Sequence, residues 1–106
     1  MRHIEDQLQE SCVTYFRHQY PEYSGLFFAV PNGGKRNAKE ASRLKKQGVL
    51  PGVSDLILLL ARGSYHSLCI ELKSEKGTQS DNQKSFQFQC KCSNNRYVLC
   101  RNIEQF

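Results

Sequence analysis

The stretch from Pro51 to Lys73 constrains this chain most. A Pro-Gly turn, Pro51-Gly52, leads through Val53, Ser54 and Asp55 into the apolar block Leu56-Ile57-Leu58-Leu59-Leu60, which predicts a short buried strand with one carboxylate at its start. The glycine-containing segment Ala61–His66 turns the chain, and Ser67–Lys73 returns as a second strand. Strand side chains alternate between faces, so Leu68, Ile70 and Leu72 share one face while Cys69, Glu71 and Lys73 share the other. Such a hairpin gathers Asp55, Glu71 and Lys73 at one end of a sheet.

Holding these charges against Leu and Ile neighbours is costly. Removing a carboxylate or ammonium from water costs several kcal/mol per ion even after relaxation. Two readings of the residues follow. In the first, Glu71 and Lys73 form a buried ion pair and Asp55 caps a turn. In the second, the two carboxylates supply hard oxygen ligands to a divalent cation, and the lysine serves an anionic substrate or the attacking water.

A chain of 106 residues is one domain, 1–106, too short for a second core. The net charge of +5 favours polyanionic partners over acidic or neutral ones. Cys12, Cys69, Cys90, Cys92 and Cys100 are odd in number and lack paired C-x-x-C spacing, so neither a disulfide framework nor a structural zinc site is expected. That usage places the chain in a reducing compartment, the cytoplasm, which is a host's if the chain is viral. No signal peptide and no apolar run of membrane-spanning length is present, so no membrane partner is expected.

Along the chain, Ile4, Leu8, Cys12 and Phe16 recur at four-residue steps, with Val13 and Tyr15 widening the stripe, which predicts an amphipathic helix from Ile4 to Gln19 ended by Pro21. Glu5 and Gln9 lie on the border of the stripe, where spacing alone reads as a solvated edge. Leu26–Val30 is a strand, broken by Pro31-Asn32-Gly33-Gly34. The two glycines let the backbone approach a ligand, and Lys35 and Arg36 follow, a pattern suited to a phosphate contact or to a plain turn. The Gly-Lys-Ser/Thr ending of a Walker loop is missing. Asn37-x-x-Glu40 is a capping box for a short helix with Ala38, Ala41 and Leu44 on its apolar face. Lys35, Arg36, Lys39, Arg43, Lys45 and Lys46 surround this helix, a charge run that is either a solvated face or a nucleic-acid surface.

After the hairpin, Ser80-x-x-Gln83 opens another helix as a capping box, with Phe86, Phe88 and Cys90 expected inward. One amide is not expected to both cap a helix and serve a site. The helix crosses to Arg96–Cys100, a strand expected parallel to the Glu71 strand. Asn102–Phe106 reads as the start of a helix. His3, His18 and His66 have no ligand spacing. The element order is αβαββαβ, an α/β fold with a mixed four-stranded sheet flanked by helices.

In their order, Pro51-Gly52-Val53-Ser54-Asp55 and Ile70-Glu71-Leu72-Lys73 resemble the PD-(D/E)-x-K nuclease signature. With Glu5-x-x-x-Gln9, Pro31–Arg36, Leu44–Gly48, and Gln83 after the Gly77-x-x-Ser80 loop, the whole chain resembles the virus-type replication-repair nuclease (VRR-NUC) branch. Ser54 stands where that family more often carries proline. The resemblance implies a restriction-endonuclease-like core and a metal-dependent DNA endonuclease. Asp55, Glu71 and the Leu72 carbonyl would hold Mg²⁺ or Mn²⁺, Glu5 would contribute directly or through water, and Lys73 and Gln83 would serve catalysis. Asn32, Gly33, Gly34, Lys35, Arg36, Lys39, Arg43, Lys45 and Lys46 would face nucleic acid. Small stand-alone relatives imply homodimers acting on branched DNA such as four-way junctions. A non-catalytic nucleic-acid-binding module and a nuclease acting on RNA are the rival readings.

Overall fold

Alternation along one central strand sorts the core into two halves. The computed structural model describes residues 4–31 and 37–106. Strands β1 (Phe27–Ala29), β2 (Leu56–Leu58), β3 (Leu68–Leu72) and β4 (Arg96–Cys100) form one sheet in that spatial order. The first two pairings are antiparallel and β3 runs parallel to β4. Helices α1 (Ile4–Gln19), α2 (Ala38–Lys46) and α3 (Asp81–Cys92) complete the expected order, with a 3₁₀ turn at Pro21–Leu26 added before β1.

On one face Leu56, Leu58, Ile70, Leu72 and Cys100 pack with Phe27 against Cys12 and Phe16 of α1. The rings of Phe16 and Phe27 stack at 4.1 Å between centroids. On the other face Cys69 and Tyr97 lie under Cys90 and Phe86 of α3, with Ile57 at the margin. Glu71 belongs to this second face. The β3–α3–β4 crossover explains why the two strands are parallel, because α3 must return the chain to the starting end of the sheet.

Several boundaries differ from the expectations. The 3₁₀ turn takes Leu26, so β1 is shorter than Leu26–Val30, although Leu59 N–H still donates to the Leu26 carbonyl and Val30 N–H to that of Asp55. Ile4 lies at the outer end of α1 and is exposed, and Tyr15 is exposed beside the Phe106 ring. Phe88 is 63% exposed, contrary to its expected inward placement. Phe86 and Cys90 are four residues apart and share a face, whereas residue 88 sits about 200° round from residue 86. Asn102–Phe106 makes turns, not a helix, since five residues provide too few hydrogen bonds to offset nucleation. Phe106 instead folds back against Phe27 and Tyr15. No residue of α2 is buried, and of its expected apolar face only Leu44 is partly covered.

The turn before β2 runs hard against the start of α3. Gly52 has φ +92°, and a Cβ there would collide with the backbone of Asn82. Gly52→Ala is therefore expected to lower stability by at least about 1–3 kcal/mol through backbone strain, with the collision adding to it. Gly63→Asn, at φ +57° in open space, should cost far less, because asparagine tolerates that region. Urea unfolding midpoints of the two variants check this.

Candidate active site

The hairpin does gather the expected charges. Asp55 immediately precedes β2, and its Oδ2 accepts the Leu72 N–H at 2.7 Å, so the carboxylate lies across the end of β3. Glu71, one residue earlier on β3, is 1% exposed. Its Oε2 accepts from Gln83 Nε2 at 3.1 Å and its Oε1 from the Tyr97 hydroxyl at 3.5 Å. Burial first, then the adjacent Asp55 charge, pushes the Glu71 carboxyl up to about 8. Burial also holds Asp55 above the ordinary carboxylate range, although the Leu72 N–H opposes it. The Lys73 ammonium favours the ionised form of both acids, and the Glu5 carboxylate disfavours that of Asp55. Burial and the neighbouring charge together favour one proton on this pair over a second negative charge.

Glu5 reaches the same region from α1, where its Oε2 accepts the Ser74 N–H at 3.3 Å. It borders the acids without joining them in a cage: among the described residues, no three His, Cys, Asp or Glu side chains are gathered as metal ligands. Chemically, the two acids suit a hard cation. The two groups are adjacent, Glu71 buried and Asp55 half-buried, and they favour a proton over a second charge, a position that a divalent ion could take over.

Gln83 departs from expectation, because its amide fills both roles. The Ser80 Oγ accepts the Gln83 N–H at 3.2 Å and the Gln83 Oε1 accepts the Ser80 N–H at 2.8 Å, completing the capping box. The other end of the amide, Nε2, donates to Glu71. Cap and site compete only for a single atom, and the amide offers two.

Ser54, in the proline-favouring position, is fully buried and donates its hydroxyl to the Leu56 carbonyl at 3.3 Å. Asn37 caps α2 by accepting the Glu40 N–H at 2.7 Å. Lys39, Arg43, Lys45 and Lys46 are all exposed on α2. Lys39, Arg43 and Lys46 line one open cleft of about 540 Å³ with Ser42 and Gln47, while Lys45 is not part of that lining. Asn32, Gly33, Gly34, Lys35 and Arg36, like His3, lie outside the described residues. His18 and His66 are exposed. Cys90 is buried against Cys69 and Cys92 is exposed, so the two cysteines of α3 face different surroundings.

Three contributors went unnoticed in the sequence. Tyr97 binds Glu71, and Gln79 donates to both the Tyr97 hydroxyl and Gln87 at 3.1 Å. Arg101 holds the loop after Lys73, its Nη1 donating to the carbonyls of Ser74 and Gly77 at 2.7 Å and of Glu75 at 3.3 Å. A buried Glu71 demands donors, and a parallel β4 in register would have put Tyr97 opposite Cys69, on the Glu71 face. No comparable signal marked Arg101.

The VRR-NUC domain model matches residues 4–102. The chain belongs to the VRR-NUC family. Among solved structures, a VRR_NUC domain protein is 25% identical and superposes with a TM-score of 0.83, over 99% of this chain and 83% of that one. No curated protein matches the chain. The VRR-NUC assignment makes this a nuclease-type domain, a class that works on nucleic acid. Among its described residues no helix is long and apolar enough to cross a membrane.

The shared proton has a measurable consequence. Between the ordinary carboxylate value of 4.5 and about 8, folded Glu71 keeps a proton that the unfolded chain has released. Metal-free stability contributed by this group is therefore full at low pH and lost as pH rises through that window. In EDTA, Tm should fall from about pH 5 to about pH 8, and Glu71→Gln should flatten the fall. Calorimetry on both proteins tests it.

Proposed function

We propose that this VRR-NUC chain is a divalent-metal-dependent endonuclease that hydrolyses phosphodiester bonds of DNA, with selectivity for branched forms such as four-way junctions. The observation that carries the proposal is the pair of neighbouring acids gathered at the end of β3, Asp55 with its carboxylate on the Leu72 N–H and Glu71 buried one residue before it, with Lys73 next in the chain. Asp55, Glu71 and the Leu72 carbonyl would hold Mg²⁺ or Mn²⁺, with Glu5 joining directly or through water. When bound, such an ion supplies charge that offsets the anionic transition state and acidifies water.

The protein's own groups do the rest. Lys73 presents an ammonium on a flexible stem to the non-bridging phosphate oxygens or to the attacking water, and tolerates movement of the phosphate during reaction. Gln83 holds Glu71 in one orientation through Nε2, and the Leu72 N–H does the same for Asp55. Positioning of this kind matters because small displacements of reacting groups cost large factors in rate.

Lys39, Arg43, Lys45 and Lys46 on α2, with Asn32–Arg36 before it, would bind the phosphate backbone. Contacts of this kind set register without reading bases, so cutting follows DNA shape. A two-fold dimer would present two sites to two strands, the arrangement that a four-way junction requires.

Supercoiled, flapped and four-way-junction DNA incubated with Mg²⁺, Mn²⁺ or EDTA tests the proposal. Cutting should require the ion, and Lys73→Ala should slow it by about 10²-fold or more while binding is retained, the loss of a few kcal/mol of transition-state stabilisation. Equal rates for Lys73→Ala and the parent protein would refute the mechanism. Binding without any cutting by the parent would instead support a nucleic-acid-binding module. Parallel RNA substrates decide whether the sugar matters.

A further inference from the structure

At the opposite end of β3 from the acids, the chain builds a second cationic feature. Arg96 opens β4, paired in register with Leu68 at the start of β3, whereas Asp55 binds Leu72 at its finish. The Arg96 guanidinium lies over the Tyr65 ring, 5.3 Å from its centroid, and Nη1 is 3.5 Å from the Tyr65 hydroxyl. Together with Lys91, Asn94, Asn95 and Tyr97 they line an open cleft of about 340 Å³. Among the described residues no carboxylate lines it, and the chain explains why. Between Asp81 and Glu104 there is no acidic residue, nor is there one between Asp55 and Glu71. Lys84, Lys91, Arg96 and Arg101 fall in the first interval and Arg62 in the second.

We infer that this cleft is a second phosphate-backbone contact, gripping the same nucleic acid at a distance from the cut. The inference rests on the nuclease reading above. Stacking engages the flat face of a guanidinium and leaves its in-plane N–H groups available, which is the geometry that phosphate oxygens take. An arginine held by a ring also loses less freedom when it binds than a free one does. Lys91 adds a point charge, and the side-chain amides of Asn94 and Asn95 can donate to sugar or phosphate oxygens.

The fold sets the spacing. Gln83, at the site end, and Lys91, at the cleft end, lie eight residues apart on α3. At 1.5 Å per residue they are about 12 Å apart along the helix axis. Phosphates along one strand of a duplex advance about 3.4 Å each, so the cleft meets the backbone roughly three to four nucleotides from the scissile bond. The basic face of α2 is a separate element, so the two contacts can be removed independently.

The test is titration of a fluorescent duplex in EDTA at several salt concentrations, followed by anisotropy, with the parent protein, Arg96→Gln and Lys91→Gln. Both side chains are exposed, and either substitution alone tests the inference if the other variant misfolds. Each variant should flatten the dependence of log K on log salt by about 0.9 and weaken binding several-fold at low salt. A neutral methylphosphonate about three to four nucleotides from the cut should weaken the parent and leave Arg96→Gln indifferent. Slopes and affinities equal to the parent's would overturn the inference while leaving the nuclease reading intact. A parent that binds no nucleic acid would overturn that reading first, and this one with it.

Discussion

The structure turns on one expensive placement, the carboxyl group of Glu71 inside the sheet. At 1% exposure it has lost nearly all of its water, a penalty of several kcal/mol if it stayed charged and unpaired. Everything around it acts to reduce that penalty. Tyr97 and Gln83 donate to its two oxygens, Lys73 supplies positive charge, and a proton replaces the charge that Asp55 makes untenable. Arg101 ties down the loop that carries Ser74, whose N–H reaches Glu5. Remove the acids and the surrounding donors lose their purpose.

The same elements that form the core also deliver this arrangement. One face of β3 fills with leucine and isoleucine against α1, which fixes the strand, and the opposite face is then free to carry Glu71 under α3. Because β2 pairs with β3 in a defined register, with Leu56 opposite Ile70, Asp55 falls opposite Glu71 and its carboxylate meets the Leu72 N–H. A slip of one residue would turn Glu71 toward α1 and Leu72 toward Tyr97. Apolar packing on one side thus enforces polar geometry on the other.

Much of this was legible in the residues, for physical reasons. The period-2 pattern of Leu68–Lys73 and the Pro-Gly turn before Asp55 were enough to bring the acids and the lysine together, and the crossover rule made β4 parallel. The family resemblance, confirmed over residues 4–102, supplied what spacing could not. Readings failed where a local pattern had no tertiary information in it. Phe88 reads as core by composition but its angle about α3 turns it to solvent. The last five residues have helical composition without the length to support a helix. Tyr97, Gln79 and Arg101 act across 18 to 27 positions of sequence, and no periodicity reports contacts of that separation.

The Gln83 amide has one further implication. An oxygen and a nitrogen of similar size make such a group nearly symmetric in shape, so packing alone would let it settle either way round. Here a backbone donor waits on one side and an acid on the other. Only one orientation satisfies both neighbours, and rotating the group by half a turn would set nitrogen against N–H and oxygen against carboxylate at the same moment. A glutamate could serve the helix but would offer its neighbour no donor, and an aliphatic side chain would serve neither. Two demands of opposite polarity have left glutamine as the residue whose chemistry answers both.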